Sequence, residues 1–342
     1  MAVVMVVVTW APIAFGAVSP EEAAKLGTTL TRFGAEMAGN KEGTIPPYTG
    51  GLINAPAGFK PDSGQYLDPF ATEQPLFSIN AQNMAQYADK LSDGVKFMLK
   101  KHPTYRVDIY KTHRTAAYPE NILKNTVRNA TKAKTDNGGI SLRNARAGLP
   151  FPIPQNGYEV MWNHLLRYPG RSREIKMQSY LMANAKLTLA GEMIIHEEYP
   201  YYDEDETRDD ADMYWKFTCD YTNPPRRAGE GYLLFDFINT FEKPRIAYQY
   251  LAGQRRVKLA PDLAFDTPAV NVSGFTTFDQ AWCFNGSMER YDFKLIGKKE
   301  MFVPYNTYKA NFQAKKEDLF GPNHLNPVRW SGLFGQETGL YK

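Results

Sequence analysis

From about Arg171 onward the apolar pattern of this chain changes its period from 3.6 residues to 2. No other feature constrains the fold as strongly. A period of two sends successive side chains to opposite faces of an extended chain, so each segment offers one apolar face to a sheet. IKMQSYLMANAKLTLAGEMII reads as a hairpin or a long bent strand. MYWKFTCDY alternates Met213, Trp215, Phe217 and Cys219 against Tyr214, Lys216, Thr218 and Asp220. YLLFDFINTF sets Leu233, Phe235 and Phe237 against Leu234, Asp236 and Ile238, and RYDFKLIGKKEMFVPY continues the pattern. Short turns between such runs predict antiparallel strands. Six to nine of them make one large curved sheet or an open barrel. The 21 Tyr and 20 Phe suit this, because aromatic side chains pack well on a pleated surface.

The first half keeps the helical period. Ser19, Pro20 and Glu22 form an S-x-x-E helix start. A Gly/Pro-rich loop from Gly39 to Pro69 is too long for a simple connector and is expected to wrap the surface or cross a groove. Met84, Tyr87, Leu91, Val95 and Met98 predict one helix over roughly Ala81–Lys100, ended by His102-Pro103. TYRVDIY reads as a strand, and a further helix covers roughly Glu120–Lys132. PFPIPQNGYEVMWNHLLRY approaches a short helix carrying Val160, Met161, His164 and Leu165. The expected class is therefore α+β: a large curved antiparallel sheet, an incomplete β-barrel, with helices packed on its concave face. Residues 17–327 form a single domain, helix- and loop-rich over 17–170 and antiparallel β over 171–327.

The run Met1–Ala17 is apolar but short of the roughly 20 residues a membrane span needs. Ala14 and Gly16 resemble a leader-peptidase site, so residues 1–16 are expected to be a secretory signal peptide cleaved after Gly16, with an uncleaved anchor as the alternative. No Cys stands directly after that site, where Ala17 lies, which argues against a lipoprotein. Cys219 and Cys283 would then meet an oxidising compartment and could pair. Cys219 shares its strand face with Met213, Trp215 and Phe217, which also suits a free core thiol. With 40 basic and 37 acidic residues, the chain is too evenly charged to argue for nucleic acid.

Legible chemistry is sparse. None of the five histidines has metal-ligand spacing. His164 lies on an amphipathic helix and reads as a packing residue, and His196 begins HEEY, where a His196–Glu197 acid/base pair is conceivable. Seven acids crowd Asp203–Asp212, but Tyr214 stands where a calcium loop needs its bidentate Glu, so a solvated loop is expected. No nucleophile elbow or nucleotide-binding glycine pattern occurs. The reading is of no catalytic residue, no metal and no cofactor. What remains is apolar strand faces edged by cations. In RIAYQYLAGQRRVKLAP, Ile246, Tyr248 and Tyr250 share one face; after the turn at Ala252-Gly253-Gln254, alternation puts Arg255 with Val257 and Leu259, and Arg256 with Lys258 on the other side. An arginine fork at the rim of an apolar cavity suits a carboxylate or phosphate, and a rim salt bridge is the alternative. The ligand-binding candidates are Arg255, Tyr248, Tyr250, Trp215, Phe235 and Phe237.

Several long blocks carry a resemblance. AVSPEEAAKLGTTLTRFGAE, DPFATEQPLFSINAQNMAQYADKLSDGVKFMLKKHPTYRVDIYKTHRTAAYP, GLPFPIPQNGYEVMWNHLLRY, AGQRRVKLAPDLAFDTP and RYDFKLIGKKEMFVPYN resemble the domain of unknown function 1329 family, from about Val18 to about Pro327. The resemblance implies an exported Gram-negative protein with a LolA/LolB-like lipoprotein-carrier fold. It also implies genetic company with resistance–nodulation–division (RND) transporters and outer-membrane proteins. The function it suggests is a periplasmic or outer-membrane-associated carrier of lipid or another hydrophobic ligand, working with an RND-type exporter. An adaptor of a transport complex and a hydrolase of envelope lipids are the alternatives. It brings no functional residues. VRWSGLFGQETGLYK, residues 328–342, resembles neither the family nor a good strand, as a truncated or frameshifted end would. The expectation is a sheet lacking its last strands, with an unpaired edge and lowered solubility.

Overall fold

The computed structural model describes residues 15–184, 186–205, 207–269, 272 and 274–341. Residues 1–14, most of the expected leader, lie outside them. The elements run β1 (Phe15–Gly16), α1 (Pro20–Ala23), β2 (Phe77–Ile79), α2 (Asp93–Lys101), β3 (Val107–Ile109), α3 (Glu120–Ala130), β4 (Lys134–Asp136), β5 (Ser141–Arg143) and α4 (Gly157–Leu165). Then come β6 (Ser172–Ala183), β7 (Lys186–Glu198), β8 (Met213–Asn223), β9 (Gly231–Phe237), β10 (Ile246–Leu251), β11 (Arg256–Leu259), β12 (Asp292–Pro304), α5 (Lys316–Leu319) and β13 (Arg329–Tyr341).

The fold is α+β and its largest sheet is antiparallel and open. That sheet runs in sequence order, β6 to β11, so β6 and β11 are its edges. A second sheet has the order β12-β13-β3-β2, with β13 parallel to β3, and a third small one joins β1, β4 and β5. The strand over Asp292–Pro304 was expected in the large sheet. It belongs instead to the second one, where it pairs with β13 from end to end. This also corrects the reading of the C-terminal tail. Trp330 packs in an apolar cluster, Arg329 and Ser331 are buried, and β13 pairs with β12 along its length and with β3 at Arg329 and Trp330. Its pairing with β12, rather than an apolar alternation of its own, makes it a strand, which is why the pattern hid it.

Two main apolar cores result, beside a small third cluster of Leu26, Leu30 and Ala130. The larger lies on the helix-bearing face of the six-stranded sheet, where Met193 and Ile195 of β7, Trp215, Cys219 and Tyr221 of β8 and Tyr232 and Leu234 of β9 meet Trp162 and Leu165 of α4. The smaller joins Ile79, Leu99, Val107 and Trp330. The single helix expected over Ala81–Lys100 is two pieces, a 3₁₀ helix at Met84–Lys90 and α2. Leu91 is extended between them and fully buried, and Ser92 caps α2 by accepting from the Val95 N–H at 3.4 Å. Burying Leu91 and satisfying an open N–H together outweigh helical continuity. The S-x-x-E start yields only one turn: Ser19 Oγ accepts from Glu22 N–H at 3.2 Å, while the Glu22 carboxylate takes Lys25 at 2.7 Å instead. The long loop does pack on the surface, with Leu52 N–H donating to the Thr115 carbonyl at 3.0 Å and Tyr48 OH to Ala116 at 2.8 Å.

Candidate functional site

The register of the large sheet sorts the expected binding residues into two groups. Directly opposed residues share a face. Trp215 faces Asp236, Phe217 faces Leu234 and Cys219 faces Tyr232, all toward the larger core. Leu233 and Phe235 point the other way, opposite Tyr248 and Ile246, and Tyr248 and Tyr250 oppose Leu259 and Val257. Trp215 is thus a core residue, donating to Glu197 Oε1 at 3.3 Å. Phe237 is buried as well, under the Lys243 ammonium. Phe235, Tyr248 and Tyr250 stand together on the opposite face, with Ile246, Val257 and Leu259 beside them. Arg255 belongs to neither group. It closes the 3₁₀ turn Ala252–Gln254 with φ +50°, a left-handed conformation, and is exposed. Alternation was extended one residue too far: Arg255 is in the turn, and β11 starts at Arg256.

The cation that enters the core is Arg245. Its Nε and Nη2 donate to Asp236 at 2.6 Å each, Nη1 to the Leu263 carbonyl at 3.0 Å and Nη2 also to Asn285 at 3.1 Å. Burial alone would lower its pKa, but Asp236 more than offsets this and raises it. A second buried carboxylate, Glu197, takes Arg173, Tyr199 at 2.9 Å and Trp215. Because neighbours on a strand point apart, Glu197 cannot pair with His196. His196 sits on the other face, 3.2 Å from Glu174. His164 lies 2.9 Å from the Phe284 carbonyl, and burial pulls its pKa below the ordinary value. The two cysteines are free, Cys219 buried and Cys283 exposed, and burial pushes the Cys219 thiol up to about 12. The acidic loop is pinned rather than loose: Arg208 bonds Asp203, Asp210 and Glu198, and Arg171 bonds Asp203 at 2.5 Å.

A cleft of about 610 Å3 opens on the sheet's other edge. One wall is Lys176, Met177, Gln178 and Tyr180 of β6 with Glu192, Met193 and Ile194 of β7 and Thr222 of β8. The other is the crossover between β12 and β13, through Asn311, Ala314, Lys316, Leu319 and Phe320. Shifts of register at Ser179/Tyr180 and Glu192/Met193 bend this edge, as β-bulges do. Tyr180 and Phe320 bridge the walls with ring centroids 5.5 Å apart, and the Lys316 ammonium lies 5.5 Å from the Tyr180 ring centre. Glu192 accepts from Gln178 at 2.6 Å and from Thr222 and Asn223 at 3.0 Å, which holds its carboxyl below the usual range. Lys176 and Lys316 are only loosely paired, at 3.8 and 3.7 Å from Glu174 and Glu317. The space therefore has walls that mix apolar and polar side chains, with two cations held only by loose ion pairs. Sequence reasoning missed it because its far wall arrives from a distant crossover, although alternation does place Lys176, Gln178 and Tyr180 in one row.

These features define the class of protein: an α+β chain built on an open antiparallel sheet, with helices on one face and a ligand-sized cleft at one edge of the other. The profile of the family described as Protein of unknown function (DUF1329) matches residues 78–332, and the chain belongs to that family. An uncharacterized Pseudomonas aeruginosa protein, PA3922, is 42% identical over 313 residues, which is 91% of this chain and 69% of that one. Among solved structures, a DUF1329 family protein from Desulfovibrio piger aligns at TM-score 0.32 and 12% identity. A proposed outer membrane lipoprotein-sorting protein domain from Vibrio parahaemolyticus aligns at 0.31 and 14%. Each alignment covers 42% of this chain and 54% of the other, too little to transfer residue roles.

Proposed function

We propose that this protein is an envelope carrier that holds an amphipathic hydrophobic ligand, such as a lipid, in the cleft between β6–β8 and the β12–β13 crossover. The observation that carries the reading is the lining itself: Tyr180, Ile194, Leu319 and Phe320 offer apolar surface among polar neighbours, and Lys176 and Lys316 offer charge for an anionic head. Its volume of about 610 Å3 is suited to one small ligand or part of a larger one. Burial of hydrocarbon there would contribute about 25 cal/mol per Å2. A periplasmic location near the outer membrane, export by a leader ending near Gly16, and work beside an RND-type transporter belong to the same reading. No nucleotide, metal or other cofactor enters it. The test is native mass spectrometry after incubation of delipidated protein with a membrane lipid extract. A lipid adduct that is lost in Leu319→Asp and weakened in Lys316→Gln is expected; a bare protein, or an adduct indifferent to both changes, rejects the reading.

A second reading, as an adaptor in an envelope transport complex, is favoured by the β10–β11 edge. Val257 and Leu259 are each 64% exposed there, beside Ile246 and Tyr250. An unpaired edge with an apolar flank is a template for another chain. Co-purification of transporter or outer-membrane components, abolished by Val257→Lys with the lipid adduct intact, would assign this edge to a partner.

A further inference from the structure

A second cleft, of about 490 Å3, lies away from the first and contains charge that the protein leaves unsatisfied. It is lined by Arg128, Asn144, Arg146, Asp212 and Asn239 above an apolar floor of Leu142, Ala145 and Ile238. Arg146 is 9% exposed. Its backbone is fixed by Asn129, which accepts from the Arg146 N–H and donates to its carbonyl, both at 3.3 Å. Its Nη1 donates to the Ala211 carbonyl at 2.6 Å, while Nε and Nη2 are buried without a protein partner. Buried donors left open in this way are destabilising, the more so on a charged group. Arg128, on α3, is exposed and has no ion pair among the described residues. The carboxylate in the lining, Asp212, is already taken by Lys243. The balance of the cleft is two guanidinium groups facing one neutralised acid.

We propose that this cleft is an oxyanion site for phosphate, with Arg146 as the buried fork that receives it and Arg128 as the outer cation. Guanidinium matches phosphate because two parallel N–H donors meet two oxygens. Asp212 sets the charge of the wall, and Lys243 keeps it from repelling the anion. The source of the phosphate is either the free ion or the head of an anionic phospholipid, and the two separate by experiment. Full-length folded protein is titrated calorimetrically with inorganic phosphate, and in parallel tested for flotation with phosphatidylcholine vesicles containing phosphatidic acid.

Binding of inorganic phosphate that falls at least tenfold in Arg146→Gln, and several-fold in Arg128→Gln, identifies a free-ion site. Binding to the vesicles alone, with the same dependence on both arginines, identifies a headgroup site. Melting temperature and circular dichroism report whether Arg146→Gln folds; if it does not, the exposed Arg128→Gln decides. No binding in either arm, or binding that ignores the arginine that can be tested, overturns the proposal. Failure here leaves the β6–β8 cleft untouched, since Leu319→Asp and Lys316→Gln read out that cleft alone.

Discussion

Arg245 and Arg255 flank the same strand and meet opposite fates. Both are cations beside apolar runs; alternation put Arg255 on the apolar face, whereas the structure buries Arg245. Period-two logic holds only while the chain stays extended, and Arg255 has left it for a left-handed turn. Glycine accepts that conformation without steric cost, so Arg255→Gly should leave stability unchanged or raise it by up to about 1 kcal/mol. Arg245 instead forms a buried pair with Asp236 that no local pattern reveals, because the pairing depends on how two strands register. Arg245→Gln strands the Asp236 charge and should cost about 3–5 kcal/mol, read as a lower urea midpoint. His164 adds a pH dependence with a definite sign. Its folded pKa is depressed by burial, so the unfolded chain takes up a proton near its ordinary value of about 6.5 while the folded one resists. The stability it supports is full above that value and is lost as pH falls through it. Replacing it as His164→Asn should flatten the stability profile between about pH 7 and 5; an unchanged slope would remove His164 from that role.

At the scale of elements, what the sequence spells locally was legible. The β6–β7 hairpin, β8, β9, α3 and α4 all lie close to where the hydrophobic period placed them. Elements whose character depends on distant partners were not. Leu91 breaks a helical pattern because a remote core takes its side chain, and β13 is a strand because β12 pairs along its length. The acidic loop is solvent-exposed, as its seven acids suggested, but the sequence did not show that Arg171, Arg208 and Lys216 tie it to the start of β6, to β7 and to β8. Hydrogen bonds from Arg208 and Lys216 hold the Asp210 carboxyl well below its ordinary value. A depressed carboxylate contributes stability above its unfolded pKa of about 3.9, and that contribution is lost as pH falls through the folded value. Asp210→Asn should therefore cost about 1 kcal/mol or less at neutral pH, as a partly exposed network does, and the deficit should shrink in strong acid. Thermal melts across an acid series measure both parts.

The whole molecule is joined by one strand. At its start β12 sends Phe293 into the larger core, and near its end Phe302 packs on the smaller one. The crossover that follows β12 also supplies the far wall of the candidate lipid cleft, so the second sheet shapes a site on the first. Where α4 meets β12 the fit is close. A Cβ on Gly157 would lie 2.3 Å from the Phe293 carbonyl carbon and 2.4 Å from its oxygen, both backbone atoms that cannot rotate away. The sequence marks Gly157 only as a residue before a short helix; its requirement comes from a strand that the chain reaches much later. Gly157→Ala must lift α4 off β12 or shift β12 along with both cores. The expected loss is about 1–3 kcal/mol, as for other overpacked contacts. Because β12 spans the two cores, the loss should reach beyond the contact: hydrogen exchange should quicken at the Phe302 end of β12 as well as at the Phe293 end. Faster exchange at Phe293 alone would mean that the two cores open independently. In that case the cleft wall formed by the crossover would not depend on how α4 sits against the strand.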